Sequence, residues 1–528
     1  MTGLSELVNT LSSGYMVSQA LVIILLYVTG SLFVTAAWRG RDPGGILGVL
    51  LAFPSGLALF AMSAFLMLCT GIPFNIYTSI GAMGIISLIS VIKGLREGIY
   101  VDIIRDRFRL RTIVIALCSA IVLAFMLTAN PFDVVLDNDS FYYFSTYPEA
   151  IVKEGRYIRY FDVFLTDAAP VGSIIQTLPY IFGFSETFGI QYFLDADFML
   201  IFAYALYSEL SGRLGQKKAA CCSAAGSVFL LTSSAYLITA KWVMAGVYFM
   251  SFFFITAWFC FRMSFAARKP LVLMALFATS LAMMRQEGVV MTAILIITLS
   301  MLSGYSGREL AFSMALPVTI CAALYYFRVF AVLGVHPLYA FLTPLKALVM
   351  ICMLVVCLIY LIFIRDRLSE QVRNKLIILL PAVLFIVNMG VVLLRPSEYL
   401  GNLKMFYLNV RIGAGWGYFG YMAGILVFLL FIKAVLNKEW YLLFFDSLMV
   451  SYVLGVLIVS FGRGDALRKG VGDSGNRVML TAVPIIVFAI VIRYFTDKPG
   501  QGIACGRVLD DTAANNLAKE DVKEDGEG

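Results

Sequence analysis

The sequence predicts an all-α integral membrane protein, a polytopic helix bundle of about 13–15 spans. Its composition is 61% hydrophobic and only 14% charged, whereas soluble domains carry about 25% charged residues. Apolar runs of about 20 residues, the length that crosses a bilayer as a helix, recur along the whole chain. A lipid bilayer is therefore the predicted environment, and the 528 residues are spent on membrane helices rather than on several soluble domains.

The predicted spans are read directly from these apolar runs. In chain order they lie near residues 17–38, 46–69, 76–92, 112–130, 190–210, 219–240, 243–263, 271–284, 288–303, 310–330, 345–364, 376–394, 416–433, 440–460 and 478–495. Two of them, 271–284 and 288–303, are short for a span and are separated only by Arg285-Gln286-Glu287.

The distribution of Lys and Arg predicts the orientation of the bundle. Most basic residues fall in alternate loops, most densely in 93–111, which holds six of them. Because basic loops stay in the cytoplasm, this bias predicts an integral plasma (inner) membrane protein with its N-terminus outside and its C-terminal tail in the cytoplasm. The first run, 17–38, is long enough to span and is followed by Arg39 and Arg41, which predicts an anchor rather than a cleaved signal peptide.

The chain divides into four predicted parts. They are an N-terminal three-span module at 1–111, a catalytic membrane core at 112–309 with the large outer loop 131–189, a C-terminal bundle at 310–495 with outer loops 395–415 and 461–477, and a disordered tail at 496–528. The large loop mixes aromatic and charged residues, a composition typical of interfacial helices.

The composition also excludes several classes of function. The net charge of +7 is spread over short loops and forms no continuous patch, so no nucleic acid is expected as a partner. Eight of the nine cysteines lie inside apolar runs and show no metal-ligand spacing. His336 is the only histidine, which excludes a histidine-based zinc site and a Ser-His-Asp triad.

Three features carry candidate chemistry. The first is Asp137-Asn-Asp139 in the large loop, just beyond the run 112–130. A carboxylate at this position is a candidate general base for an acceptor hydroxyl, and two carboxylates are also suitable ligands for Mg²⁺ or Mn²⁺. The other interpretation is that both are solvated loop acids. Asp137 and Asp139 are therefore the predicted catalytic residues and the only candidate metal ligands.

The second feature is the Arg285-Gln286-Glu287 turn between the two short runs. A charged pair at membrane depth is costly unless it faces protein or a water-filled cavity. The turn therefore either borders a site inside the bundle or is a tight turn at the outer interface.

The third feature is the last outer loop, which holds Arg463, Arg468, Lys469 and Arg477. Basic residues on the outer face oppose the usual charge bias, and a phosphate group is the ligand that arginine binds bidentately. Neutralisation of the loop by its own aspartates is the alternative. Arg411, in the neighbouring loop 395–415, adds positive charge to the same face.

From about residue 112 to 495 the order of these elements resembles the GT-C superfamily of membrane glycosyltransferases, which includes the protein mannosyltransferases and the bacterial aminoarabinose transferase. The matching segments, in order, are Leu-Asp137-Asn-Asp139-Ser-Phe-Tyr-Tyr, Thr166-Asp167-Ala-Ala-Pro170, Leu214-Gly215-Gln-Lys-Lys, Arg285-Gln-Glu287-Gly288 and Gly475-Asn-Arg477-Val-Met-Leu-Thr-Ala-Val-Pro484. The N-terminal module at 1–111 lies outside the resemblance.

The resemblance implies transfer of a sugar from a polyprenyl-phosphate donor to an acceptor on the extracytoplasmic face, with inversion at the anomeric carbon. It implies that Asp137 or Asp139 is the base, that Asp167, Arg285 and Glu287 border the substrate, and that Arg477 holds the donor phosphate. Arg468 or Lys469 would assist Arg477. The acceptor, whether glycan, lipid or protein, is not indicated by the sequence, and the metal requirement is left open.

Two other functions compete with sugar transfer. A polysaccharide polymerase or ligase of the O-antigen type also has many spans and outer arginines, but the early position of the large loop disfavours it. A transporter or lipid flippase requires charges within the spans and broken helices in paired repeats, and the apolar runs show few such charges.

Overall fold

A computed structural model describes the chain at residues 14–38, 46–96, 142–159, 165–166, 170–183, 188–241, 245–266, 269–302, 304–335, 342–413, 415–436, 440–462 and 474–496. All regular structure in these segments is helical, as predicted. Ten of the helices are long and apolar enough to cross a membrane, or eleven when one bent pair is counted as a span. The predicted run 112–130 lies outside the described residues.

The helices are numbered here in chain order. They are α1 Gly14–Ala37, α2 Ile46–Thr70, α3 Ile76–Arg96, α4 Tyr147–Glu154, α5 Pro170–Ile175, α6 Leu178–Phe182, α7 Phe188–Leu214, α8 Gln216–Leu231, α9 Ser234–Lys241, α10 Ala245–Met263, α11 Leu271–Met284, α12 Gly288–Ser300, α13 Gly307–Val332, α14 Pro344–Arg367, α15 Glu370–Leu394, α16 Pro396–Arg411, α17 Gly417–Leu436, α18 Trp440–Gly462, α19 Ser474–Leu480 and α20 Val483–Thr496.

Helix ends follow the local sequence. Asn75 accepts hydrogen bonds from the backbone N–H groups of Tyr77 and Thr78 at the start of α3, and Thr343 caps α14 just before Pro344. Gly71 ends α2 and Gly155 ends α4, each at a positive φ that favours glycine. These caps fix where the spans stop and where the loops begin.

The N-terminal helices pack tightly into the bundle. Gly30 of α1 and Gly56 of α2 allow their backbones to meet, because a Cβ atom on Gly56 would lie 1.8 Å from the Leu26 carbonyl oxygen. Small residues at such crossings are typical of membrane helix pairs. The α2 helix is in turn buried against α5 and α11. The division of the chain into parts at 111, 309 and 495 stays a prediction.

The two ends of the bundle differ in character. One end, here called the loop end, is defined by the turn at 71–75, the described loop segments between 142 and 183, the turn at 285–287 and the described part of 395–416. At this end the backbone N–H of Phe74 donates to the Gly155 carbonyl at 2.8 Å. The other end, the opposite end, holds residues 301–309 and 365–369.

Ion pairs and backbone hydrogen bonds close the opposite end. Arg365 donates to the carbonyls of Ser300, at 2.9 Å, and Leu302, at 2.6 Å, and pairs with Asp366 at 2.7 Å. Asp366 accepts from the backbone N–H of Gly307 at 2.8 Å. These bonds join the end of α12, the start of α13 and the end of α14.

Candidate functional site

The Arg285-Gln286-Glu287 turn lies inside the bundle, not on its surface. The helices that it joins, α11 and α12, have 14 and 13 residues, so each rises about 20 Å, which is less than the apolar thickness of a bilayer of about 30 Å. Gln286 and Glu287 are buried, and the Arg285 Nε lies 3.4 Å from Glu287 Oε2. The charged pair is therefore packed against protein, and its role at the border of a site stays a prediction.

The backbone of α12 begins at a close approach. A Cβ atom on Gly288 would lie 2.5 Å from the Leu281 carbonyl oxygen. Only glycine therefore lets α12 start this close to the end of α11, and the tight start holds Arg285 and Glu287 together. In the motif Arg-Gln-Glu-Gly the glycine thus permits the close backbone approach, and the arginine and glutamate form the ion pair.

The large loop covers this turn. The Leu165 carbonyl accepts a hydrogen bond from the Tyr325 hydroxyl at 2.6 Å and one from the Gln286 side-chain amide at 3.4 Å. Leu165 and Thr166 are buried. Leu165 and Thr166 of the large loop are therefore held against the turn. Asp167 itself lies outside the described residues.

The helix of Arg477 reaches the same region through Tyr452 of α18. The Tyr452 hydroxyl donates to the Val478 carbonyl at 2.8 Å and lies 2.7 Å from Thr481 Oγ1. The α18 helix packs against α12, which begins directly after the turn, and against α19, which carries Arg477. Arg477 is half-buried and lies one residue before Val478.

Residues 415–416, which follow α16 in the chain, contact the Arg477 helix and α9. The Trp416 indole N–H donates to Asn476 Oδ1 at 2.7 Å, and the Ser234 hydroxyl donates to the Gly415 carbonyl at 3.4 Å. Arg411 ends α16 with an exposed side chain, and among the described residues no hydrogen bond or ion pair joins it to the turn.

Four other predicted site residues cannot be placed. Asp137, Asp139, Arg468 and Lys469 lie outside the described residues. Within the described segments, no group of three or more His, Cys, Asp or Glu side chains has a metal-binding arrangement. The expectation of Mg²⁺ or Mn²⁺ at Asp137 and Asp139 therefore stays a prediction.

A second buried polar group lies beneath the loop segment. Asp195 of α7 is fully buried, its Oδ1 lies 3.5 Å from the Tyr236 hydroxyl, and its Oδ2 has no hydrogen-bond partner in the described part of the chain. Nearby, the Gln176 side-chain amide donates to the Tyr248 hydroxyl at 3.3 Å. Asp197 is also buried. These acids lie inside a predicted span, so charge within the spans is less sparse than the sequence suggested.

The sequence did contain a signal for this group. The span Ile190–Leu214 is the least hydrophobic of the ten spans, and it carries Asp195, Asp197 and Glu209. Elsewhere a buried pair joins Asp446 of α18 to Arg493 of α20 at 3.5 Å. Acids inside a long apolar run indicate function more strongly than acids in a loop.

The tyrosines of the loop segment remain neutral. Burial raises the pKa of Tyr147 and, more strongly, the pKa of Tyr157 above the ordinary value, and burial also raises the pKa of Tyr180. Their hydroxyl groups are therefore hydrogen-bond donors and not acids at neutral pH.

The fold and the site together define a polytopic helical membrane protein with a buried, charged turn under a loop at one end. Comparison of the chain with protein-family models, with curated proteins and with solved structures finds no match. The function must therefore be argued from the site alone.

Proposed function

We propose that this protein is a membrane glycosyltransferase that transfers a sugar from a polyprenyl-phosphate donor to an envelope acceptor, with inversion, on the extracytoplasmic face of the plasma (inner) membrane. The observation that carries the proposal is the convergence at the loop end. The Leu165 carbonyl accepts a hydrogen bond from Gln286 of the turn, and α18 packs against both α12 and the helix of Arg477, so segments that are distant in sequence meet there.

The reaction makes specific demands on such a site. The acceptor hydroxyl oxygen attacks the anomeric carbon, the bond from that carbon to the phosphate oxygen breaks, and polyprenyl phosphate leaves with the electron pair. The hydroxyl proton passes to a carboxylate, for which Asp137 or Asp139 is the candidate. The leaving phosphate gains negative charge and needs cations that are already in place.

Two arginines of the described residues are candidates for this site. Arg285 is held by Glu287 at 3.4 Å in a largely buried turn, where electrostatic interactions are stronger than in water. Arg477 lies on the neighbouring helix and is only half-buried. In the proposal Arg477 binds the donor phosphate, with Arg468 or Lys469 assisting, and the Arg285–Glu287 pair borders the sugar.

A second candidate function is transport of a lipid or solute. It is favoured by the buried Asp195 and Asp197 and by the 65° bend between Gln216–Leu231 and Ser234–Ala240. Broken helices and buried charges line transport pathways. Against it, the two short helices α11 and α12 meet at a loop-covered turn, which suits a site open to one side only.

The experiment compares envelope glycans by mass spectrometry in cells with and without the gene. Loss of one sugar from one glycan class is expected, and the wild-type gene restores it. Asn at Asp137, at Asp139 or at both is then tested for restoration, with Glu149→Gln as the control, because Glu149 is an exposed loop acid paired with Lys153.

At least one Asp→Asn variant is expected to fail at normal protein level, while Glu149→Gln restores the glycan. Unchanged glycans without the gene, together with altered uptake or lipid asymmetry, would favour the transporter instead. Full restoration by both single variants and by the double variant would contradict the assignment of the base.

A further inference from the structure

Three separate segments meet beside the N-terminal helices at the loop end. They are the end of α2 with Cys69 and Gly71, the loop residue Tyr157, and the last turn of α13 with Arg328. The hydrogen bond from Phe74 N–H to the Gly155 carbonyl, at 2.8 Å, ties the first two segments together. Tyr325, which the Tyr157 ring contacts, lies three residues before Arg328 on α13.

Arg328 is a cation without a counter-ion here. Among the described residues no carboxylate forms an ion pair with it, and its Nε is buried without a hydrogen-bond partner. Arg328 lies in the π-helical stretch Phe327–Val332, a conformation found frequently at functional sites. A buried guanidinium N–H with no acceptor costs free energy. An anion bound to Arg328 would accept this hydrogen bond and remove the cost.

Tyr157 supplies a second donor of the same kind. Its side chain is 2% exposed, and its hydroxyl has no hydrogen-bond partner within the described segments. The ring is fixed edge-on against Tyr325, at 6.1 Å between centroids. Because burial raises the pKa of Tyr157, the hydroxyl keeps its proton. Tyr157 Oη and Arg328 Nε are therefore two buried donors without an acceptor among the described residues, and one of them is charged.

The group is also accessible from the surface. Gly71 is exposed, and a Cβ atom placed on it would lie 3.8 Å from Arg328 Nη1 and within 4 Å of no other atom outside its own neighbours. The guanidinium thus has a buried edge at Nε and an edge at Nη1 that lies beside the exposed Gly71, at the end of α2. Lipid phosphates lie outside the apolar core of a bilayer, near the ends of membrane spans.

We propose that Arg328 and Tyr157 form a phosphate-binding site, whose ligand is the phosphate of a membrane lipid or free phosphate. The guanidinium binds two phosphate oxygens and the tyrosine hydroxyl donates to one of them. The site gives the N-terminal helix α2 a role, which the sequence did not indicate. It rests on the two unsatisfied donors and is independent of sugar transfer, where Arg477 is the proposed phosphate ligand.

The test measures binding by the full-length protein in lipid nanodiscs, read as the midpoint of thermal unfolding. In one arm inorganic phosphate is titrated against chloride at constant ionic strength in phosphatidylcholine discs. In the other arm phosphatidylglycerol replaces part of the phosphatidylcholine. A ligand that binds only the folded state raises the midpoint in proportion to the logarithm of its concentration above Kd.

The variants separate the site from general charge effects. Arg328→Gln is expected to weaken binding about 10- to 100-fold, the range for loss of a charged hydrogen bond, and Arg328→Lys should recover part of it. Tyr157→Phe keeps the ring packing and should weaken binding by a smaller factor. Arg156→Gln is the matched control, because Arg156 is exposed, adjacent in sequence and paired with Glu154 at 3.9 Å.

A phosphate response that Arg328→Gln removes identifies free phosphate as the ligand, and a response only to phosphatidylglycerol identifies a lipid. Both results support the site. The proposal is overturned if neither arm stabilises the wild type, or if Arg156→Gln reduces the response as much as Arg328→Gln. If Arg328→Gln does not fold, Tyr157→Phe and Arg328→Lys decide the outcome, and equal binding in wild type and both variants overturns the proposal.

Discussion

Replacement of Arg365 by methionine tests how the opposite end of the bundle is held together. Arg365 is 2% exposed. Its guanidinium satisfies two backbone carbonyls, those of Ser300 and Leu302, and pairs with Asp366. Methionine fills a similar length but leaves both carbonyls without their donor.

The magnitude follows from these bonds. Removal of one partner from a buried ion pair costs about 3–5 kcal/mol. The lower end of that range applies, because Asp366 is 42% exposed and keeps its bonds from the Gly307 N–H. A loss of about 3 kcal/mol corresponds to a decrease of roughly 100-fold in the folding equilibrium constant.

The assay is reversible unfolding in mixed micelles of dodecyl maltoside and dodecyl sulfate, followed by circular dichroism. Arg367→Met is the matched control, since Arg367 is exposed two residues away and loses the same charge; its expected effect is within about 0.5 kcal/mol. Equal stabilities of the Arg365 and Arg367 variants would refute the reasoning.

Three further predictions concern other parts of the chain. Burial raises the pKa of Tyr399 from 10.0 to about 12; since the folded pKa is the higher one, the stabilisation is complete below pH 10 and is lost as the pH rises toward 12. Tyr399→Phe also loses the hydrogen bond to Asn388. In this variant the free energy of unfolding should decrease less between pH 10 and pH 12 than in the wild type, and an unchanged pH profile would contradict the prediction. Asp195→Asn should change the free energy of unfolding by no more than about 1 kcal/mol, because no described cation pairs with Asp195; a loss of several kcal/mol would reveal an ion pair. A cysteine at position 150 should react with membrane-impermeant reagents on intact cells and one at position 100 should not, whereas the reverse pattern would invert the orientation.

The positions of many apolar helices were predictable because each depends only on local hydropathy and length, but ten or eleven of the described helices are long enough to span, against the 13–15 predicted for the whole chain. The run 271–284 coincides with Leu271–Met284, and the run 46–69 matches Ile46–Thr70 to within one residue. The run 219–240 was predicted as one span, but its helix breaks at Thr232 and Ser233, where Thr232-Ser233-Ser234 interrupts the apolar residues. The two helices meet there at a bend of 65°, and the Ser234 hydroxyl donates to the Gly415 carbonyl at 3.4 Å.

The site was predictable only in part. The Arg285–Glu287 turn stands out in sequence because charge between two apolar runs is unusual. Its burial depends on Leu165, which lies 121 positions before Gln286, and on Tyr325, which lies 39 positions after it. Neither residue carries a sequence signal of this contact. Asp195 was missed because the residues around Asp195 and Asp197 are apolar enough for the segment to be predicted as an ordinary span. Arg328 was missed because a basic residue near a predicted helix end is common.

The most direct test of the central proposal is a transfer assay with the purified protein in liposomes and labelled polyprenyl-phosphate sugars. The account predicts that one such donor loses its sugar and yields polyprenyl phosphate. It also predicts that Arg477→Ala raises the KM for the donor more than the KM for the acceptor. Folded protein that consumes no polyprenyl-phosphate sugar, or equal losses for both substrates in Arg477→Ala, would contradict it.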